Sequence, residues 1–313
     1  MHTTAKPSAW KRDPGTSTLG ERHTRWGEEG IRVVLFVSAL ISILTTAGIV
    51  SVLIFETIEF FKVVSIWRFL TETEWTPLFA NQKFGIIVLI SATFLTTVIA
   101  MAVALPVGLM TAVYLSEYAG NRTRRTLKPL VELLAGVPTV VYGYFALLFV
   151  TPIIRFFYPE VAGFNALSAG LVMGVMIIPT VASLSEDALF AVPRSLREGA
   201  FALGATRRQV TLNIVIPGAL SGIVASFILG ISRAVGETMV VAISAGLQPN
   251  LTFDPTESAA TITSYIVQVS LGDLPHESIG YQSIFAAGLV LMLMTLVFNI
   301  AGFALTRKFR QAY

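Results

Sequence analysis

Arg233 and Glu237 stand four residues apart in ISRAVGETMVV, a stretch with no other charged residue. On a helix that spacing puts both side chains on one face, where they can pair. Counted from Pro217, sixteen residues at ~1.5 Å each carry Arg233 roughly 24 Å along a helix, near mid-membrane or slightly to its outer side. A charge at that depth costs about 2.5–3.5 kcal/mol on insertion scales, so the pair must face water or a bundle interior rather than lipid. Two roles fit. The groups neutralise each other, an arrangement that often adds no net stability. Alternatively, the planar five-donor guanidinium of Arg233 contacts a tetrahedral oxyanion in passage, while Glu237 orients it and keeps the grip loose. Gly236 beside them lets a backbone or a solute come close. A second candidate is LAGVPTVVYG, in which Pro138 breaks the helix and Thr139 and Tyr142 bring hydroxyls. With Thr238 these residues form a candidate translocation path. Pro106, Gly108, Gly136, Gly143 and Pro179 read as further interruptions or as simple kinks, each freeing backbone groups that protein or water must satisfy.

The elements that carry these residues follow from composition. Hydrophobic residues make up 54% of the 313-residue chain and charged residues 13%, with a mean hydropathy of +0.72, which excludes an ordinary soluble domain. Apolar runs at about 31–55, 84–114, 130–154, 166–190, 219–245 and 283–306 are long enough to cross a bilayer, so the expected fold is all-α, a polytopic membrane protein of six transmembrane helices. Residues 1–30 are expected to be a flexible cytoplasmic N-terminal tail, 31–306 the transmembrane domain and 307–313 a cytoplasmic C-terminal tail. Seventeen of the 22 Lys and Arg residues fall on the side of the N-terminus and four opposite, which places both termini in the cytoplasm. The chain has no cysteine, and His2, His23 and His276 lie outside the spans, so neither a thiolate site nor a zinc-protease motif is available. No phosphate-binding loop of the G-x-x-x-x-G-K-S/T type occurs, so any ATP and Mg used must sit on a partner. No cofactor is expected on this chain, and no nucleic-acid partner.

A polar hinge at 193–217, PRSLREGAFALGATRRQVTLNIVIP, separates the fourth and fifth apolar runs. Ser195 with Glu198 and Thr206 with Gln209 each have capping-box spacing, predicting two short helices. Gly204 between them suits the left-handed residue that closes the first, and Pro217 marks the turn into the next span. Glu132 has no evident role in lipid, and Glu186 and Asp187 read as a solvated edge. Trp67, Phe69, Trp75 and Phe79 read as an interfacial aromatic set. SAATITSYIVQVSLGD predicts an amphipathic helix outside the membrane.

The hinge residues Glu198, Ala200, Gly204, Ile214 and Pro217 fall on the E-A-A, G, I-x-L-P pattern of permease subunits of bacterial ABC importers, which this segment resembles; Gly199 and Ile216 depart from it. The resemblance implies a type I importer permease whose cytoplasmic coupling helix, here around Ser195, Glu198, Gly199, Ala200, Gly204 and Thr206, docks on a separate ATPase. RAVGETMVV, KPLVELLAGVPTVVYG and FLTETEWTP are similar to the phosphate-uptake permeases of the PstC type. That likeness implies a bacterial inner-membrane location, a PstA-like second permease, two copies of an ATPase of the PstB type and a phosphate-binding protein of the PstS type. Acidic outer segments, carrying Glu56, Glu59, Glu72 and Glu74, then Asp254, Glu257, Asp273 and Glu277, would contact that carrier rather than free phosphate. Sulfate or molybdate import and the PstA-type sister role remain alternatives.

Overall fold

The computed structural model describes residues 26–272, 274–275 and 278–308. Residues 1–25 of the expected N-terminal tail, 309–313 of the C-terminal tail, and Asp273, His276 and Glu277 lie outside the described residues. The chain divides into two units, residues 1–51 and 52–313. In its described part the first unit is helical, with large apolar side chains from Ile31 to Ile49 exposed.

The described residues are helical apart from turns, loops and one isolated bridge between Trp75 and Phe84. Helix α1 is Trp26–Val63, so the expected tail is already helical before residue 30. After the short α2 (Ile66–Thr71) comes α3 (Ile87–Val113), extended by a wide turn at Tyr114–Tyr118. The third apolar run does not start at residue 130. Instead α4 (Asn121–Ala135) is a separate amphipathic helix with no buried residue, and α5 (Thr139–Phe145) begins after Pro138. A wide turn joins α5 to α6 (Thr151–Phe157), followed by α7 (Ala166–Phe190), α8 (Arg194–Ala202) and α9 (Arg207–Val210). Another wide turn leads from α9 into α10 (Ile216–Val235), then come α11 (Met239–Ser244), α12 (Ile262–Ser270) and α13 (Ile279–Lys308). Six helical stretches among the described residues are long and apolar enough to cross a membrane.

Pro217 does not turn the chain, because the segment from Arg207 to Val235 is one continuous helix. Wide turns at Ala146–Val150 and Thr211–Val215 end two residues before Pro152 and Pro217. They loosen the turn holding the carbonyl four residues back, which the ring would otherwise strike. Pro106 and Pro179 likewise lie inside unbroken helices.

Gly108, Gly170 and Gly174 are close-packing positions rather than breaks. A Cβ on Gly170 would meet Ile99 Cβ at 2.7 Å, on Gly174 Ala100 O at 2.8 Å, and on Gly108 Val181 Cβ at 2.8 Å. These pairings advance together along both helices, so α3 and α7 run parallel, backbone against backbone. Lipid offers no hydrophobic drive between helices, and small residues that permit such contact supply the packing instead. On the other side α10 runs antiparallel to α7, with Ser226 Oγ 2.7 Å from Ser185 Oγ. It also runs antiparallel to α13, where a Cβ on Gly302 would strike Ile228.

A separate core forms around Phe60, Phe69, Trp75, Phe84 and Tyr265. The aromatic set read as interfacial therefore splits: Trp67 is 74% exposed, whereas Trp75 is 1% exposed and packs edge-on to Tyr265 at 5.0 Å. Helix α12 is not a free outer helix either. Ile262, Thr263, Ser264, Tyr265 and Val269 are buried, and its first amide donates to Thr93 Oγ1 on α3 at 3.1 Å.

Candidate functional site

Arg233 lies in the last turn of α10, and the helix ends two residues later with Gly236 as its cap. Glu237 is thus off the helix, and the expected pairing of Arg233 with Glu237 does not form. One oxygen of the Glu237 carboxylate accepts the amides of Met239 at 3.2 Å and Val240 at 3.3 Å, closing the first turn of α11. Its backbone carbonyl accepts the Thr263 hydroxyl at 2.7 Å. A buried carboxylate committed to amides is a structural clasp. Thr238 returns its hydroxyl to Gly236 O at 3.2 Å.

Arg233 Nη1 instead donates to Thr180 Oγ1 on α7 at 2.8 Å. Among the described residues no carboxylate lies within ion-pair distance of this half-buried guanidinium. Its remaining N–H groups are free to bind an anion, and a cation inside an apolar bundle without a carboxylate partner strongly favours one. Sequence reading missed Thr180; a hydroxyl directly after Pro179 in an apolar span is the signal that points to it.

Pro138 is the N-cap of α5 and Thr139 its first residue, so the predicted break is real. The Tyr142 phenol donates to Leu134 O at 2.7 Å, adding to the long 3.4 Å bond from Val137 N at a carbonyl whose helical partner four residues on, Pro138, has no amide to give. Gly143 brings α5 within van der Waals reach of Ile243 and the Met239 carbonyl on α11. Tyr142 also shares a core with Ala234, Val240 and Val241. Two stretches a hundred residues apart in the chain thus meet around the loop after α10.

At the other end of α7, the hinge has the predicted turn but one of its two caps is absent. Helix α8 starts at Arg194 with Pro193 at the N-cap and no side-chain capping bond, so Ser195 and Glu198 form no box. Ser195 sits inside the first turn, past the position from which a hydroxyl caps. The Thr206–Gln209 box is present. Gly204 has φ +83°, Ala205 N donates to Ala200 O at 3.1 Å and Gly204 N to Phe201 O at 2.9 Å. This is a Schellman closure, which needs a left-handed residue. Ser195, Glu198 and Gly199 are exposed and Ala200 half-buried. Leu203, 90% exposed, projects beside Phe201 at 47%.

Charged contacts unforeseen in the sequence tie this end together. Arg197 of α8 reaches Glu117 at 3.2 Å and Leu189 O at 2.6 Å. Glu186, read as a solvated edge, is 1% exposed and receives Arg124 at 2.7 Å and Lys128 at 3.0 Å from α4. Asp187 beside it stays 67% exposed. The spacing of Arg124 and Lys128 on an amphipathic α4 was the available clue.

Comparison with known proteins agrees with this architecture. The profile of the "Binding-protein-dependent transport system inner membrane component" family matches residues 104–311. "Probable ABC transporter permease protein YqgH" of Bacillus subtilis (strain 168) is 34% identical over 85% of this chain and 87% of its own length. "Phosphate transport system permease protein PstC" is 33% identical in Xylella fastidiosa (strain 9a5c), over 78% of this chain and 80% of that protein. The protein of the same name in Haemophilus influenzae is 31% identical, over 87% and 90%. Among solved structures, a bacterial ABC transporter that imports the acidic polysaccharide alginate superposes with a TM-score of 0.65 at 16% identity, over 91% of this chain and 99% of that one. The inward-facing MetNI methionine transporter gives a TM-score of 0.54 at 19% identity, over 72% and 95%. These structural likenesses concern the fold. With its six apolar helices, its hinge and its matched length, the chain belongs to the family of binding-protein-dependent transport system inner membrane components, as a permease subunit of an ABC importer.

Proposed function

We propose that this permease carries inorganic phosphate inward across the bacterial cytoplasmic membrane, by alternating access, as the PstC-type half of a two-permease pore. The observation that carries the reading is Arg233: an intramembrane guanidinium bonded to Thr180, with no carboxylate at ion-pair distance among the described residues. The PstC relatives support phosphate as the anion. The second half is a PstA-like subunit, ATP and Mg are bound by two ATPase subunits of the PstB type, and a PstS-type protein delivers phosphate. Both termini and the hinge face the cytoplasm, as the distribution of basic residues favours. ATP-driven closure moves α8, around Glu198 to Gly204, and the helices reorient so that phosphate passes Arg233, with Tyr142, Thr139, Pro138 and Thr238 bordering the path.

The test is uptake of labelled phosphate into vesicles carrying the four-component complex. Arg233→Gln is expected to lower ATP-driven uptake at least ten-fold while the complex still assembles. Wild-type uptake by that variant removes Arg233 from the path. Uptake of sulfate or molybdate in place of phosphate by the unmodified complex reassigns the anion.

A further inference from the structure

Thr180 makes a hydrogen-bond pattern unlike that of most hydroxyls in the neighbouring helices. Thr93, Thr97, Thr111 and Ser244 each return their hydroxyl to the carbonyl four residues back, at 2.7, 2.7, 2.8 and 2.7 Å. That is the usual resting place for such a proton in an apolar span. Thr180 makes no such bond. Its oxygen accepts Arg233 Nη1 at 2.8 Å, and its own proton has no acceptor among the described residues.

A hydroxyl has one proton and two lone pairs. With a lone pair directed at Arg233, the proton points away from that nitrogen, and rotation about the Cβ–Oγ bond lets it reach an acceptor oxygen lying beside the guanidinium. Half-buried Thr180 and half-buried Arg233 come from different helices, α7 and α10, and the contact places two donors side by side. One is charged and one neutral, and beyond the bond between them neither the Thr180 proton nor the other guanidinium N–H groups have an acceptor among the described residues.

We propose that Thr180 is a second anion-contacting residue of the translocation path, donating its hydroxyl proton to an oxygen of the tetrahedral oxyanion that Arg233 binds. This inference rests on the anion-path reading of Arg233. The Arg233–Thr180 bond also holds the guanidinium toward α7, limiting the freedom that a long side chain otherwise loses on binding. The site is therefore assembled across the α7–α10 contact. Sliding one helix against the other separates the two donors and weakens the grip, as release requires. An anion held by one cation and one neutral hydroxyl is bound loosely enough to pass on.

The experiment compares Thr180→Val, which keeps the shape and removes the hydroxyl, with Thr180→Ser, which keeps it, each in the assembled four-component complex in vesicles. Labelled phosphate uptake is normalised to assembled complex and measured alone and with Arg233→Gln. Thr180→Val is expected to lower uptake about ten-fold, equivalent to ~1.4 kcal/mol at the rate-limiting barrier. Thr180→Ser is expected to stay within about two-fold of the unmodified complex, as one retained donor requires. Combining Thr180→Val with Arg233→Gln is expected to add little to the loss from Arg233→Gln alone. Should Thr180→Val not assemble, Thr180→Ala carries the same expectation. Normal uptake by Thr180→Val with impaired uptake by Arg233→Gln overturns this proposal and leaves the function of Arg233 standing. Normal uptake by both overturns the anion-path reading itself. Equal losses for Val and Ser reduce Thr180 to packing, and a double variant whose loss is the product of the single losses overturns the shared site.

Discussion

Replacing Glu186 with Gln tests the ionic clasp between α4 and α7. The Glu186 carboxylate is 1% exposed, with Arg124 Nε at 2.8 Å and Nη2 at 2.7 Å on one oxygen and Lys128 Nζ at 3.0 Å on the other. Removing one partner of a fully buried ion pair costs about 3–5 kcal/mol, because the other charge is left without water or counter-charge. Here the Arg124 and Lys128 side chains keep 30% of their exposure, so they recover part of their hydration and the cost falls to about 2–3 kcal/mol. Lys128→Met is a built-in control. It leaves Arg124 on Glu186 and removes a partly solvated ammonium, so its cost is expected to stay below about 1 kcal/mol. The assay is unfolding of the purified complex in mixed detergent–SDS micelles, with release of α4 read as protease cleavage within Asn121–Ala135. A Glu186→Gln cost under about 0.5 kcal/mol, or a Lys128→Met cost equal to it, would falsify the argument from buried charge. The clasp also bears on the path, since α4 supplies the Leu134 carbonyl that holds the Tyr142 hydroxyl.

The hinge gives two further expectations. Gly204 has φ +83° and open space within 4 Å of where a Cβ would sit, so Gly204→Ala should cost about 1–2 kcal/mol through conformation alone, and branched Gly204→Val should cost more. Its signature is ATP hydrolysis that no longer drives uptake in vesicles, and normal coupling by Gly204→Val counts against the hinge. Thr206→Ala removes an observed cap and should cost about 1 kcal/mol, whereas Ser195→Ala, at a position without a capping bond, should change stability by under about 0.5 kcal/mol. Equal effects in denaturant titrations would mean that the cap geometry does not govern this turn.

Much of the architecture was legible in the chain because it depends on local composition. Apolar length marks six crossings, since a bilayer sets a minimum span whatever the neighbours do. Gly204 and the Thr206–Gln209 box were readable because turn closure and capping are settled within five residues. Pro138 was readable as a break for the same local reason, but Pro106, Pro179 and Pro217 were not distinguishable from it. Whether a proline breaks a helix depends on what satisfies the freed carbonyl and on adjacent wide turns, which sequence spacing does not encode.

The charges show the division most sharply. Sequence alone determined that Arg233 lies in an apolar span and that such a charge needs a polar environment. Only the tertiary structure decided that its partner is Thr180 and not Glu237, because Gly236 ends α10 one residue before the carboxylate could share the helix face. Likewise, only the packing of α4 on α7 buried Glu186 and left Asp187 in solvent, one residue apart on the same helix. Helix periodicity predicts which residues share a face. The approach of a second helix decides which face is buried and which donor lies within 3 Å of which acceptor, and those distances govern the energies of buried charges.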